Sequence, residues 1–160
     1  MNLYKPVDIN YDDITEDQIY VTASRTITES DVMMFAGLTG DFNELHTSKH
    51  YAQGTSYGTR IAHGMLTLAV ANGLYMRMNL FEKCTVANLG IEKWSFKKAV
   101  LLGDTLHVKL TLDSKRLTSN PKRGIIRWQV SVYNQDGEEV AGGIWVKMFL
   151  TRLAVTKKEA

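Results

Sequence analysis

Apolar and polar residues alternate through most of the second half of the chain. Leu106, Val108, Leu110 and Leu112 alternate with Thr105, His107, Lys109 and Thr111, and Ile126, Trp128, Val130 and Val132 alternate with Arg127, Gln129 and Ser131. Ile144, Val146, Met148 and Leu150 repeat the pattern near the C-terminus. A period of two marks a strand with one buried face. Gly103-Asp104, Asn120-Pro121 with Gly124, and Asp136-Gly137 break these runs at turn residues, which predicts three long antiparallel strands in series. Just upstream, Leu89 and Ile91 alternate in one phase and Trp94 and Phe96 in the other, so a bulge or bend is expected between the pairs. His107 falls on a polar face and is expected to meet solvent.

The first half carries other periods. Residues 1–18 read as an irregular lead-in, with Pro6 and the acidic residues Asp12, Asp13, Glu16 and Asp17. The threonines between Ile19 and Thr26 favour a short strand. Thr28, three residues before Asp31, reads as the cap of an amphipathic helix that ends at Gly40. Asp41 to Arg60 is polar and reads as an irregular overhang with one short helix around Ser48–Gln53. A second helix is expected from His63 or Gly64 to about Leu80, roughly 25 Å long. Its apolar residues point in nearly every direction, so it must be surrounded by a wrapped sheet and a partner subunit. Met33, Met34, Met76 and Met78 are expected as core filler. With no βαβ rhythm and no repeat, the pattern predicts an α+β fold, a long helix against a strongly curved antiparallel sheet.

The chain has 160 residues, the size of one domain, taken as residues 1–160. Its 19 Lys and Arg against 17 Asp and Glu leave a formal charge of +2, which argues against a dedicated nucleic-acid binder. Cys84 is the only cysteine, so disulfide frameworks and cysteine-cluster metal sites are excluded. The N-terminus lacks the apolar segment of a secretory signal, and Thr67, Asn72, Arg77 and Asn79 interrupt the most apolar stretch. The expected setting is cytoplasmic, without a membrane span.

Chemistry gathers between Asp41 and Gly64. A carboxylate at Asp41 and an imidazole at His46, five residues apart on a short loop, can share one water or one substrate proton. Asn43 lies between them. The N–H groups at the start of the long helix, at Gly64, suit a developing oxyanion. Each residue also has a plainer reading: Asp41 as a turn cap, His46 as a loop histidine, Gly64 as a tight start to the helix. His63 reads best as a supporting histidine beside the apolar helix. His46 and His50, four apart, with Asp41 or His63, would make only a loose zinc set.

Residues 25–65, RTITESDVMMFAGLTGDFNELHTSKHYAQGTSYGTRIAHGM, resemble the signature of the MaoC-like dehydratase and (R)-specific enoyl-CoA hydratase family. Its pattern is D-x-N-P-x-H followed by an AHGM-type helix start. SFKKAVLLGDTL, residues 95–106, resembles the family's F-x-x-P-V-x-x-G-D-x-L strand and turn. The resemblance implies a hotdog fold and a homodimer or higher assembly. It implies Asp41 and His46 as the catalytic pair, Gly64 as the amide that polarises the thioester carbonyl, and Asn43 as a support of the loop. Two positions depart from the family pattern within this site: Glu44 stands at the motif proline, and Asn72 stands where polyester-linked hydratases carry serine. Ala99 replaces the proline of the second motif.

The activity implied is that of a carbon–oxygen lyase of fatty acid metabolism. It would interconvert trans-2-enoyl and (3R)-3-hydroxyacyl thioesters of coenzyme A or acyl carrier protein, with neither metal nor redox cofactor. Lys97, Lys98, Lys122 and Arg123 are candidates to meet the phosphates of the carrier. A thioesterase and a non-catalytic acyl-thioester-binding protein are the alternatives.

Overall fold

The computed structural model describes residues 9–155, so Pro6 and the first part of the expected lead-in lie outside the described residues. The alternating segments form β4 (Thr105–Leu117), β5 (Arg123–Tyr133) and β6 (Glu139–Leu150), antiparallel neighbours as the turn residues require. Upstream of them, β3 (Thr85–Phe96) returns along the other side of β6. A short N-terminal strand, β1 (Ile19–Val21), pairs with β4, giving the order β1-β4-β5-β6-β3, and β2 (Arg25–Thr26) also pairs with β4. The single strand expected over Ile19–Thr26 is therefore split. Thr22 makes the break: its hydroxyl accepts from the Val108 N–H at 3.0 Å, and its own N–H donates to the Val108 carbonyl at 3.0 Å.

The expected irregularity in β3 is present. Its register against β6 shifts between Glu92 and Ser95, where Lys93 adopts a left-handed φ of 52°. This lets Trp94 stack on Trp145, with centroids 6.0 Å apart.

Helix α1 (Glu29–Thr39) begins and ends where the sequence places it. Thr28 accepts from the Asp31 N–H, Asp31 accepts from the Thr28 N–H at 2.8 Å, and Gly40 closes the helix in a left-handed conformation at φ 79°. This reciprocal box satisfies two donors that the helix start leaves unpaired. The overhang then holds α2 (Glu44–Thr47) and α3 (Lys49–Gln53), capped by Asn43 and Ser48. The α2 turn was not expected. Four residues are too few for an apolar period, and its only signal was the Asn43 cap, whose Oδ1 accepts from the Leu45 N–H at 2.9 Å.

Helix α4 (Gly64–Met76) runs 13 residues, about 20 Å, and stops before the expected Leu80. Asn79 sits at φ 55°, which a continuing helix does not permit. One side of α4, including Leu66, Val70, Leu74 and Tyr75, packs into the curve of the sheet over Leu106, Val108, Trp128 and Phe149. Tyr75 stacks on Phe81 at 5.2 Å, and Phe81 meets Trp128 at 5.6 Å. The other side is not covered by the described residues: Met65, Ala69 and Met76 remain exposed. Met33 and Met34 are exposed as well, so three of the four methionines expected as core filler face outward.

Two further expectations are corrected. On β6 the residues turned into the core are Trp145, Lys147 and Phe149, while Val146, Met148 and Leu150 are only half-buried. His107 is half-buried and stacks on Tyr133 at 5.5 Å instead of standing free in solvent. In the lead-in, Tyr11 and Ile14 belong to the core. Among the described residues, no helix is long and apolar enough to cross a membrane.

Candidate active site

The left-handed Gly40 ends α1 and turns the chain so that Asp41 enters the overhang. Asp41 is exposed, and its Oδ1 accepts from the Asn43 N–H at 3.3 Å. The Asn43 carbonyl accepts from the His46 N–H at 2.9 Å, which fixes the one-turn helix carrying His46. Glu44, at the motif proline, occupies the first helical position of α2. Proline and acidic side chains are both favoured there, so the replacement keeps the turn, and its carboxylate stays exposed.

His46 is half-buried and His63 almost fully buried. The His46 Nδ1–H donates to the Ile61 carbonyl at 2.8 Å, and the His63 Nε2–H donates to the Asp41 carbonyl at 3.0 Å. Carbonyls only accept, so both of these nitrogens carry protons, leaving His46 Nε2 and His63 Nδ1 with lone pairs. His63 Nδ1 is buried without a partner among the described residues. Phe35 closes the outer side of the His63 ring at 5.0 Å.

An oxygen of Asp41 and one nitrogen each of His46 and His63 lie within 4.8 Å of one another. The sequence grouped His46 with His50 as a possible metal set. In the structure His50 is exposed on α3, outside this cluster, and His63 takes its place. Groups this close can hold one water molecule or one small cation between them.

His46 and Gly64 line a cavity of about 380 Å³, together with Thr67 and Phe96. No side chain caps α4 at His63, so the first N–H groups of the helix are left without a side-chain partner. They supply donors and the positive end of the helix dipole at this cavity. Space at Gly64 is tight. A Cβ there would meet three Phe96 ring carbons at 3.0–3.1 Å, so only glycine lets the ring lie this close over the helix start.

Lys97 and Lys98 stand at this cavity, Lys97 paired with Glu139 at 2.5 Å and Lys98 with Glu138. Lys122 and Arg123 stand apart, at the turn between β4 and β5. Arg60 ties the overhang to α1 with a forked pair onto Glu29, Nη1 to Oε1 at 2.7 Å. Hydrogen bonding from Arg60 holds the Glu29 carboxyl below its ordinary value. Asn72 lies elsewhere: it lines a second cavity on the uncovered side of α4 and accepts from Lys147 at 3.3 Å. Lys147 was not singled out in the sequence. The one clue was a lysine within the apolar run from Val140 to Leu150.

The profile of the family described as "MaoC like domain" matches residues 12–134. The "(R)-specific enoyl-CoA hydratase" of Rhodospirillum rubrum is 35% identical over 102 residues, which cover 64% of this chain and 68% of that protein. "Protein MaoC" of Klebsiella aerogenes is 33% identical over 105 residues, 66% of this chain, and the match spans only about a third of that longer protein, 31%. The unliganded "R-Hydratase PhaJ1" of Pseudomonas aeruginosa superposes with a TM-score of 0.75 at 30% identity, covering 91% of this chain and 88% of that one. The helix inside a curved antiparallel sheet is the hotdog fold, and the chain belongs to the MaoC-like dehydratase family.

Proposed function

We propose that the protein is a hydratase/dehydratase that interconverts trans-2-enoyl and (3R)-3-hydroxyacyl thioesters. The observation that carries this reading is the grouping of Asp41 and His46 within 4.8 Å, with His46 opening onto the same cavity as the uncapped start of α4. The names carried by the Rhodospirillum rubrum and Pseudomonas aeruginosa relatives support the same direction.

In hydration, the Gly64 N–H accommodates the thioester oxygen as enolate charge develops on it. Asp41 and the lone pair of His46 Nε2 hold one water between them. Its oxygen bonds to C3 while one of its protons passes through the pair to C2, so the pair ends in its starting protonation state. Both atoms arrive from one face, giving syn addition. Dehydration is the same path in reverse. The thioester already acidifies C2, so the balance of the reaction requires no redox partner.

The working unit in this reading is at least a dimer. Among the described residues, strand β3 is an edge strand that pairs with β6 alone and exposes Val86, Leu89 and Ile91, and the outer side of α4 is uncovered. A second copy would cover both and roof the cavity that Leu89, Ile91 and this side of α4 line. Light scattering at micromolar concentration is expected to give twice the chain mass.

The test of the activity is incubation with crotonyl-CoA. Loss of the enoyl absorbance without release of thiol, with (3R)-3-hydroxybutyryl-CoA as the product, is the expected result. Thiol release would mean a thioesterase, and tight binding with no reaction a non-catalytic acyl-thioester-binding protein. Either outcome overturns the proposal.

A further inference from the structure

The second cavity, of about 480 Å³, lies along the Met65, Leu68 and Asn72 stripe of α4 and against β3 and β6. It adjoins the proposed catalytic cluster, because Phe35 both lines it and packs on His63. Its walls are apolar apart from Asn72, Asn88 and Lys147.

Lys147 is 2% exposed, and its neighbours are unusual for a buried cation. Its Nζ donates to Asn88 Oδ1 at 2.6 Å and to Asn72 Oδ1 at 3.3 Å, and it lies 4.4 Å from the centre of the Tyr75 ring and 5.2 Å from that of Trp145. Among the described residues, no carboxylate pairs with it. Burial lowers its pKa to about 8, so the group is still an ammonium at neutral pH. A buried charge compensated only by amide dipoles and ring faces is expensive to hold. An ammonium only donates, so both amide oxygens must face it, which leaves the Asn72 and Asn88 NH2 groups to donate elsewhere. Lysine and two amides thus offer a positive charge and N–H donors to whatever enters. A mere tie between α4, β3 and β6 would need neither a positive charge nor a cavity beside it.

We propose that Lys147, with Asn72 and Asn88, forms a subsite for a carboxylate carried on the acyl chain, making monothioesters of dicarboxylic acids the preferred substrates. The direction of the ligand rests on the functional reading above. Asn72 lies eight residues beyond Gly64, about 12 Å along α4, a separation that an extended acyl chain on a thioester held at the helix start can span. A carboxylate there supplies the counter-ion that the fold does not, and charge-assisted bonds to it are the strong kind.

The test is calorimetric titration with saturated thioesters, which bind but cannot be hydrated. Succinyl-, glutaryl-, adipyl- and suberyl-CoA are compared with butyryl-, valeryl-, hexanoyl- and octanoyl-CoA. At one or more chain lengths the dicarboxylic member is expected to bind about tenfold or more tightly. Lys147→Met is expected to bring that ratio to about one. Asn88→Asp should do the same with the lysine still in place, since its carboxylate would neutralise the ammonium from within, and it serves if the methionine variant does not fold. A ratio near one in the unmodified protein at every length, or a ratio that survives both variants, overturns the subsite. Hydration of the matching enoyl pairs is measured separately. Failure to hydrate with the binding ratio intact removes the hydratase reading and leaves the subsite standing, whereas hydration without the ratio does the reverse.

Discussion

His46 and His63 stack on one another, with ring centroids 3.9 Å apart and 35° between the planes. Each ring spends one N–H on a backbone carbonyl, His46 on Ile61 and His63 on Asp41. The two rings pack on each other while each tautomer is fixed by its own carbonyl, and His63 holds the backbone of the residue whose carboxylate His46 must meet. The proposed division of labour is that Asp41 and His46 handle the water while His63 positions Asp41.

Asp41→Asn and His46→Ala are each expected to lower kcat/KM for crotonyl-CoA hydration by at least about 100-fold. Circular dichroism should be unchanged, because Asp41 is exposed and His46 half-buried. Near-normal rates in both variants would remove the assignment of this pair.

His63→Phe keeps a ring against Phe35 but loses the donor to Asp41. A fall in kcat of about tenfold is expected. His63→Gln, whose amide N–H can reach the same carbonyl, should recover part of it. Equal losses in both variants would reduce His63 to a packing residue.

Gly64→Ala leaves the backbone N–H in place but drives a Cβ into the Phe96 ring at 3.0–3.1 Å. Overpacking of this kind costs about 1–3 kcal/mol unless the ring yields. Steady-state kinetics should show a loss in Gly64→Ala that the double variant with Phe96→Ala partly restores. If the losses in the two single variants simply add, the ring is not what limits this position.

How far all this could be read in advance depended on whether a residue's local pattern agreed with its tertiary surroundings. Thr28, Asp31 and Gly40 act within one helix, so their spacing alone fixed α1. The phase change between Ile91 and Trp94 announced the bulge at Lys93 because side-chain period is locked to backbone register. Asp41 and His46 were legible as neighbours in sequence, and Gly64 as the start of the apolar helix. That His63, and not His50, completes the cluster depends on the path of the overhang, which no local period encodes. Strand β6 misled for a physical reason. Beyond Glu139 at its start it is apolar on both faces, and Lys147 points inward, so alternation assigned the core to Val146, Met148 and Leu150. The exposed methionines follow from the same kind of gap: one chain's pattern records surfaces that a single chain does not cover.

Acid stability should report the α1 cap. Burial pushes the Asp31 carboxyl up, but the Thr28 N–H and hydroxyl and the Arg25 guanidinium outweigh it, holding the group below its ordinary 3.8. The unfolded chain then takes up the proton first as pH falls, so this contribution is complete above that value and is lost as pH drops through the folded one. Thr28→Ala is expected to lose about 1 kcal/mol at neutral pH. Urea unfolding should show Asp31→Asn destabilised at neutral pH and level with the unmodified protein in strong acid. A constant gap at all pH values would exclude the carboxylate as the source.

Alkaline stability should report Lys147, whose ionised form costs stability where that of Asp31 adds to it. Its pKa falls from 10.5 to about 8 on folding, through burial between Tyr75, Trp145 and the two amides. Between those values the unfolded chain binds more protons than the folded one, so stability rises with pH across this window. Below about 8 the full cost of the buried ammonium is present, and it is relieved as the group loses its proton. The groups packed around it are Asn72 and Asn88, which do not titrate, and Tyr75, which burial pushes upward and out of the window. Lys147→Met should flatten the profile between about pH 8 and 10 when unfolding free energy is measured in urea, and should leave its shape below that range unchanged. The same titration bears on the carboxylate subsite. Preference for a dicarboxylic thioester should fade over the pH range in which the folded protein gains stability, because one deprotonation removes both the attraction and the penalty. A preference that persists above pH 10, with the stability profile rising as described, would show that the amides and not the ammonium recognise the anion.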